Sequence, residues 1–204
     1  METVIKKGWW IESTLTERKI RETRYVLASD HSKSHREDGP AVINYYVTGE
    51  VSQETYYING LEHRDDGPSS ITYNKSGAIE MLCYKQNGKL HREDGPAEIE
   101  YRADGSIRYE HWMMNDELHR EGEPAVVVYR PGNMLTQEQY YQHGVMSRRD
   151  GPADCLINAE GVYRHRSYYV DGVNMNGDLL AAGIISPDGS VRDKDALLLT
   201  LSLV

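Results

Sequence analysis

His35-Arg36-Glu37-Asp38-Gly39-Pro40-Ala41 is the stretch of this sequence that decides the fold, because it recurs at a constant interval. The later copies begin at His63, His91, His119 and Ser147, so successive copies start 28 residues apart with no slippage. A fixed period of this length indicates a repeat architecture, in which each unit buries its apolar face against its neighbours. The period therefore predicts an array of similar units, and such arrays more often bind other molecules than catalyse reactions.

Each repeat has the pattern of two β-strands and two turns. In the first repeat, Pro40 can open a strand but cannot continue in its middle, and residues 41–46 then alternate as a strand does. Residues 51–58 are a second β-rich run, and Asn59-Gly60 after it is a strong hairpin signal. We therefore predict an all-β fold: an elongated, single-layer antiparallel sheet of consecutive β-hairpin repeats, with about twelve strands.

The chain is expected to have three parts. Residues 1–34 are a partial repeat that caps the N-terminal end, and residues 35–174 hold five repeats of 28 residues. Residues 175–204 are a degenerate sixth repeat, because Pro187-Asp188-Gly189 keeps the first turn. Its Leu-rich end, residues 196–204, is expected to be a strand that either caps the last sheet edge or pairs with a second copy as a homodimer.

Composition limits the partners that this chain is expected to have. The formal net charge of −9 disfavours non-specific binding to nucleic acid or to an anionic membrane. The chain has 15 Tyr and no Phe, which suits a thin sheet with half-covered faces. Cys83 and Cys155 fall on different strands of their repeats, so we expect reduced thiols, and the N-terminus lacks a secretory signal. These features favour a cytoplasmic protein.

An aromatic row recurs in the second strands and is the first candidate binding surface. Its members, hereafter the aromatic row, are Tyr56, Tyr84, Trp112, Tyr140 and Tyr168. A second ladder, Val51, Ile79, Ile107, Leu135 and Tyr163, precedes the row by five residues, so the two lie on opposite faces unless a β-bulge intervenes. The row either grips a partner peptide or packs against the neighbouring hairpin. Trp9 and Trp10 are similarly open to two interpretations, a binding hot spot or an end cap.

The charged residues of the repeats also have two interpretations each. The recurring Arg could bind anions or form an ion-pair ladder, and the recurring His could hold metal or support the turns. Equivalent positions lie roughly 9–10 Å apart by strand spacing, too far to share an ion, so we expect no metal site and no cofactor. The last recurring arginine and three further ones form a basic patch that could meet an acidic partner: Arg148, Arg149, Arg164 and Arg166.

The Tyr-Tyr-x-Asn-Gly endings and the Gly-punctuated two-strand units resemble MORN-type repeats, in a longer variant that carries the His-Arg-Glu-Asp-Gly-Pro-Ala heptapeptide. The resemblance covers residues 35–174 well and the two ends weakly. It implies a ribbon of β-hairpins, as in similar repeats of antitoxin-like bacterial, phage and giant-virus proteins. MORN-like arrays serve in protein scaffolding, membrane apposition and toxin neutralisation, so the resemblance implies no residue role here.

The sequence lacks the common catalytic motifs, including a phosphate-binding Gly loop, a nucleophile elbow and HExxH. We therefore expect no enzymatic activity. The first hypothesis is a protein-binding repeat module that sequesters or blocks another protein. The resemblance implies a phage or mobile-element inhibitor of a host system, located in the host cytoplasm if the source is viral. The alternatives are a small-molecule or nucleotide sponge that uses the basic patch and aromatic residues, and a MORN-like structural scaffold.

Overall fold

The computed structural model describes residues 3–6, 9–16, 19–27 and 29–204, and of residues 3–6, 9–16 and 19–21 only the backbone. The expected roles of the Trp9 and Trp10 side chains therefore lie outside the described part. The chain divides into two compact units, residues 1–106 and 107–204.

The first unit is a set of consecutive antiparallel strands. They are β1 (Thr3–Lys6), β2 (Trp9–Thr16), β3 (Lys19–Leu27), β4 (Asp30–Ser34), β5 (Val42–Tyr45), β6 (Val51–Thr55), β7 (Tyr57–Ile58), β8 (Leu61–Glu62), β9 (Ser70–Tyr73), β10 (Ile79–Cys83), β11 (Lys85–Gln86), β12 (Lys89–Leu90) and β13 (Glu98–Tyr101). The main sheet runs in the order β1-β2-β3-β5-β6-β9-β10-β13, with β4 also paired to β3. Strands of the main sheet thus follow one another in sequence order, and β7–β8 and β11–β12 form separate two-stranded hairpins.

The second unit repeats this plan and ends in two helices. Its elements are β14 (Ile107–His111), β15 (Met113–Met114), β16 (Glu117–Leu118), β17 (Val126–Arg130), β18 (Met134–Gln139), β19 (Tyr141–Gln142), β20 (Val145–Met146), β21 (Asp154–Ile157), β22 (Tyr163–Ser167), β23 (Tyr169–Val170), β24 (Val173–Asn174), α1 (Asn176–Ala181) and α2 (Lys194–Ser202). The main order is β14-β17-β18-β21-β22. The predicted all-β fold, a single-layer antiparallel sheet of consecutive hairpins, is confirmed.

The second strand of each repeat departs in one respect from the prediction. The run 51–58 is not one strand, because it divides at Tyr56 into β6 and the two-residue strand β7, which pairs with β8. The backbone N–H of Tyr56 still donates to the carbonyl of Ser69 at 2.7 Å. Each repeat therefore adds two long strands to the main sheet and a short hairpin beside it.

A β-bulge answers the question that the two ladders left open. Tyr45 pairs with Val51, and the adjacent residue Asn44 pairs with Gln53, so Ser52 is an extra residue. The register shifts at equivalent places in the second, fourth and fifth repeats. Because side chains alternate along a strand, skipping one residue puts Val51 and Tyr56 on the same face.

The heptapeptide ends in a small residue because it lies in the most crowded part of the repeat. Ala41, Ala97, Ala125 and Ala153 have no exposed surface, and neither does Ser69 at the same position. The N–H of Ala41 donates to Thr55 at 2.8 Å, and its carbonyl accepts from Tyr25 at 2.7 Å. A buried residue held by both neighbouring strands leaves little room for a larger side chain.

The Leu-rich segment at the end of the chain is a helix, and its prediction as a strand was wrong. The Asp193 side chain accepts the Ala196 N–H at 2.9 Å and so begins α2. Leu197 and Leu201, four residues apart, are buried with Tyr168 in the hydrophobic cluster of the second unit. The turn at 187–190 is retained, with an isolated bridge between Ile185 and Val191 in place of a strand pair.

Candidate functional site

The arginine of each heptapeptide lies over an aromatic ring from earlier in the chain. The guanidinium carbon is 3.7 to 4.2 Å from the ring centroid in all five repeats, in the pairs Arg36–Tyr25, Arg64–Tyr56, Arg92–Tyr84, Arg120–Trp112 and Arg148–Tyr140. Distances this short are typical of cation–π contacts. Four members of the aromatic row thus form the surface on which the next heptapeptide packs.

The same guanidinium closes the heptapeptide on itself. In the first repeat Arg36 Nε donates to Asp38 at 2.7 Å, and Nη1 donates to the carbonyl of Pro40 at 3.2 Å. The second, third and fifth repeats make the same two bonds. A Cβ atom on Gly39 would lie 2.9 Å from the Arg36 guanidinium carbon, so a larger residue here would displace the guanidinium. The recurring arginines are therefore internal struts of each loop.

The histidine that begins the heptapeptide supports a turn. Nδ1 of His35 accepts the backbone N–H of Asn59 at 3.1 Å, and His63 does the same for Asn87 at 3.1 Å. Asn59 has φ 52°, the left-handed conformation that the hairpin turn requires. In this position the histidine fixes the second turn of its own repeat, as one interpretation of the sequence proposed.

Tyrosine–glutamate pairs join neighbouring repeats across the sheet. Tyr73 donates its hydroxyl to Glu54 at 2.8 Å, and Tyr129 donates to Glu110 at 3.0 Å. Burial and then the carboxylate bond raise the pKa of Tyr73 to about 12. These hydroxyls therefore remain protonated donors at neutral pH.

The carboxylates of the heptapeptides face solvent, unlike the arginines. The six in the first unit, hereafter the rim carboxylates, are Glu37, Asp38, Asp65, Asp66, Glu93 and Asp94. Their side chains are 67 to 86% exposed, against 20 to 25% for Arg36, Arg64 and Arg92. The hydrogen bond from Arg64 and then its charge hold the pKa of Asp66 below its ordinary value. The outer surface of these loops is thus anionic at neutral pH.

Two clefts of matching composition separate the three heptapeptides of the first unit. The first cleft has a volume of about 600 Å³ and lies between residues 35–41 and 63–69. The second cleft, of about 450 Å³, lies between residues 63–69 and 91–97. Each is lined by an aromatic-row tyrosine, a histidine, two arginines and four rim carboxylates. The repeat therefore builds the same concave site twice.

A third cleft, in the second unit, has a different lining. Its volume is about 320 Å³, and it includes Gly122 where the second cleft has Asp66, and Arg149 where that cleft has Glu93. Arg149 donates to Asp171 at 2.8 Å and to the Leu201 carbonyl of α2 at 3.2 Å. A cation at the last turn of a helix is favourable, so this arginine joins the final repeat to the helix.

The residues predicted as a basic patch separate into two groups. Arg148 stacks on Tyr140 and donates to Asp150 at 2.6 Å, and Arg149 contacts α2. The guanidinium carbon of Arg166 lies 4.8 Å from the centroid of the Tyr163 ring. Arg164 is an exposed residue of β22. Two of the four arginines are thus bonded within the fold.

Tyr168, the last member of the aromatic row, differs from the other four. It has no exposed surface, and its hydroxyl donates to the Gly189 carbonyl at 3.0 Å. Its backbone N–H donates to the Asn176 side chain at 2.7 Å, whereas the equivalent N–H of Tyr56 donates to the carbonyl of Ser69. Asn176 thus replaces the backbone of the strand that a sixth repeat would have supplied.

The two cysteines lie in unrelated places, where Cys83 is half-buried and Cys155 is buried. Cys83 and Cys155 are both free, and burial raises the pKa of each to about 11. A thiol with so high a pKa is a weak nucleophile at neutral pH.

Sequence reasoning overlooked the rim carboxylates as a surface, because acids that recur with the repeat were interpreted as structural. The signal was the acidic pair at the third and fourth heptapeptide positions, of which only the fourth bonds arginine. Among the described residues, no group of three or more His, Cys, Asp or Glu side chains is placed to hold a metal ion. In the same part of the chain, no helix has the length and apolarity to cross a membrane.

Comparison of the chain with protein-family models and with curated proteins finds no match. The resemblance to MORN-type repeats thus stays an interpretation of the sequence.

Proposed function

We propose that this protein is a non-enzymatic protein-binding repeat module that sequesters or blocks a partner protein. The observation that carries the proposal is the pair of matching clefts in the first unit, with their exposed rim carboxylates. The heptapeptide arginines are engaged in holding the repeats, as are His35, His63 and His119, so the carboxylates are what the motif offers to a partner. An inhibitor role in a phage or mobile element stays a prediction from the resemblance.

The charges of the clefts favour a basic partner. Each cleft has four carboxylates against two arginines, and those arginines are the more buried groups. The chain as a whole carries a net charge of −9. Complementary charge raises the association rate and suppresses wrong partners. The surface thus fits a protein segment that carries Lys or Arg.

The spacing of the clefts favours an extended partner segment. Equivalent points in successive two-strand repeats lie roughly 9–10 Å apart, which is twice the distance between neighbouring strands. A polyproline II helix repeats every three residues and rises about 9 Å over that length. Basic side chains three residues apart on such a segment would match the two clefts in register.

Affinity capture with charge variants tests the proposal. The purified full chain is used as bait in extract from the native host, and captured proteins are quantified by mass spectrometry. The test variant is Asp65→Asn with Glu93→Gln, which removes two rim carboxylates that do not bond arginine. The control, Glu80→Gln with Glu160→Gln, removes two exposed charges elsewhere. We expect a partner that both wild type and control retain and that the test variant loses at least tenfold.

Two results would contradict the proposal. One is capture of the same proteins in equal amounts by the test variant and the control. The other is a bait that retains no protein but releases a small molecule on denaturation, which would support the sponge alternative.

Synthetic peptides test the partner's geometry separately. One peptide repeats Arg-Pro-Pro, and a second has the same composition with its arginines adjacent. If the clefts take side chains three residues apart, the first peptide binds several-fold more tightly at equal charge. Equal affinities would exclude the register and leave only non-specific attraction between opposite charges.

A further inference from the structure

The second hairpin turns of the first, second, fourth and fifth repeats are held by the residue that begins the heptapeptide, 24 positions earlier. The backbone N–H of the turn donates to a side-chain acceptor in each case. The pairs are Asn59 to His35 Nδ1 at 3.1 Å, Asn87 to His63 Nδ1 at 3.1 Å, His143 to His119 Nδ1 at 3.2 Å and Asp171 to Ser147 Oγ at 3.0 Å. Three of these acceptors are imidazole nitrogens, and one is a hydroxyl.

The imidazole acceptors depend on protonation in a way that the hydroxyl does not. Nδ1 accepts a hydrogen bond only when it carries no proton, so the neutral ring must have its proton on Nε2. A protonated imidazole has N–H groups at both nitrogens, and rotation of the ring restores no acceptor. In acid, the backbone N–H of the turn would then face the N–H of the protonated ring and have no acceptor there.

We propose that His35, His63 and His119 are acid-sensitive latches, which hold the second hairpin turn of their repeats when neutral and release it when protonated. Ser147 holds the turn of the fifth repeat through a group that does not titrate. The inference rests on hydrogen-bond geometry and is independent of the proposed partner.

Charged groups of both signs surround the histidines. Nε2 lies 3.8 Å from Glu37 in His35 and 3.1 Å from Asp65 in His63. Lys33 packs on the turn glycine Gly60 of the first repeat. The other charged groups that line the cleft of His63 are Arg36, Glu37, Asp38, Arg64 and Asp66.

His119 has a different neighbour, because the turn residue of its repeat is itself a histidine. The rings of His119 and His143 stack with centroids 4.1 Å apart. Burial and then the neighbouring His143 lower the pKa of His119, against the opposing charges of Glu121 and Glu117. A lowered pKa in the folded state means that the unfolded chain binds more protons, so stability from this latch is lost as pH falls.

Amide hydrogen exchange tests the latches. Exchange of the amides of residues 59, 87, 143 and 171 is followed by NMR between pH 8 and pH 5, after correction for the intrinsic effect of pH. We expect the first three to lose about tenfold in protection as the rings protonate, the size of one lost hydrogen bond. Asp171, held by Ser147, should stay unchanged. Equal behaviour of all four amides would overturn the inference.

Two amino-acid substitutions make the test specific. His63→Ser should remove the pH dependence at residue 87 and leave that at residues 59 and 143. Ser147→His should give residue 171 a dependence that it lacks. If either variant does not fold, the comparison of amides within the wild-type protein decides. A pH dependence at residue 87 that persists in folded His63→Ser would assign the effect to another group.

Discussion

At the scale of single residues, each position of the heptapeptide has a separate structural task. The arginine stacks on an aromatic ring and hydrogen-bonds a carboxylate of its own loop. The glycine leaves room for the guanidinium, and the alanine is fully buried. Because residues of the motif contact one another, a substitution at one position disturbs the residue at another. The acids at the third position are less constrained, which suits residues that meet a partner.

The contact between Arg92 and Gly95 gives the sharpest residue-level expectation. A Cβ on Gly95 would lie 2.6 Å from the Arg92 guanidinium carbon. Gly95→Ala must therefore displace the guanidinium from Tyr84 and Asp94, at a cost of about 1–2 kcal/mol in the free energy of unfolding. Urea denaturation measures this cost, with Gly177→Ala as the control, since a Cβ there meets open space. We expect the control to be neutral or stabilising by up to about 1 kcal/mol.

A double-mutant cycle completes this test. In an Arg92→Ala background the guanidinium is absent, so Gly95→Ala should cost much less than in the wild type. Additive effects of the two substitutions would show that the glycine is needed for some other reason.

At the scale of elements, the C-terminal end of the array has a different structure from the repeats. Asn176 and the 187–190 turn replace a sixth repeat at β22, and α2 buries Leu197 and Leu201 against Tyr168. A sheet edge with free backbone groups invites pairing with other chains. The two helices therefore close the second unit at its C-terminal end.

Truncation of α2 residues should separate buried from exposed leucines. Leu201 is fully buried, and Leu199 is 62% exposed. We expect Leu201→Ala to reduce the free energy of unfolding by about 2–5 kcal/mol, and Leu199→Ala to change it by less than about 0.5 kcal/mol. Thermal and urea denaturation of the two variants measure the difference. Equal effects would mean that the helix does not pack as described.

The two-strand repeats were predictable, and the C-terminal helices were not. Alternation after Pro40 and the Asn59-Gly60 turn are local signals, and both lie where expected. The helix was missed because it is stabilised by burial of Leu197 and Leu201 in a cluster with Tyr168, a residue far away in sequence. The break at Tyr56 was also missed, because it depends on the short hairpin partner β8.

At the scale of the whole molecule, the repeated motif separates the groups that hold the fold from the groups that face solvent. Arginine, histidine, glycine and alanine of the heptapeptide are used within the fold, and the rim carboxylates are presented to solvent. From the sequence, the aromatic row and the basic patch were the candidate binding residues, and that assignment stays a prediction. Most of the row lies under arginine, and this arrangement depends on contacts between loops that no local pattern encodes.

Deletion of one whole repeat tests most directly whether the heptapeptides join interchangeable modules. Removal of residues 63–90 joins Glu62 to His91, so Arg92 would stack on Tyr56 and His63 would be replaced by His91. We expect a β-rich protein that unfolds cooperatively in urea, with a lower m-value because less surface is buried. A variant with an unfolded circular dichroism spectrum, or one without a cooperative transition, would contradict the modular architecture.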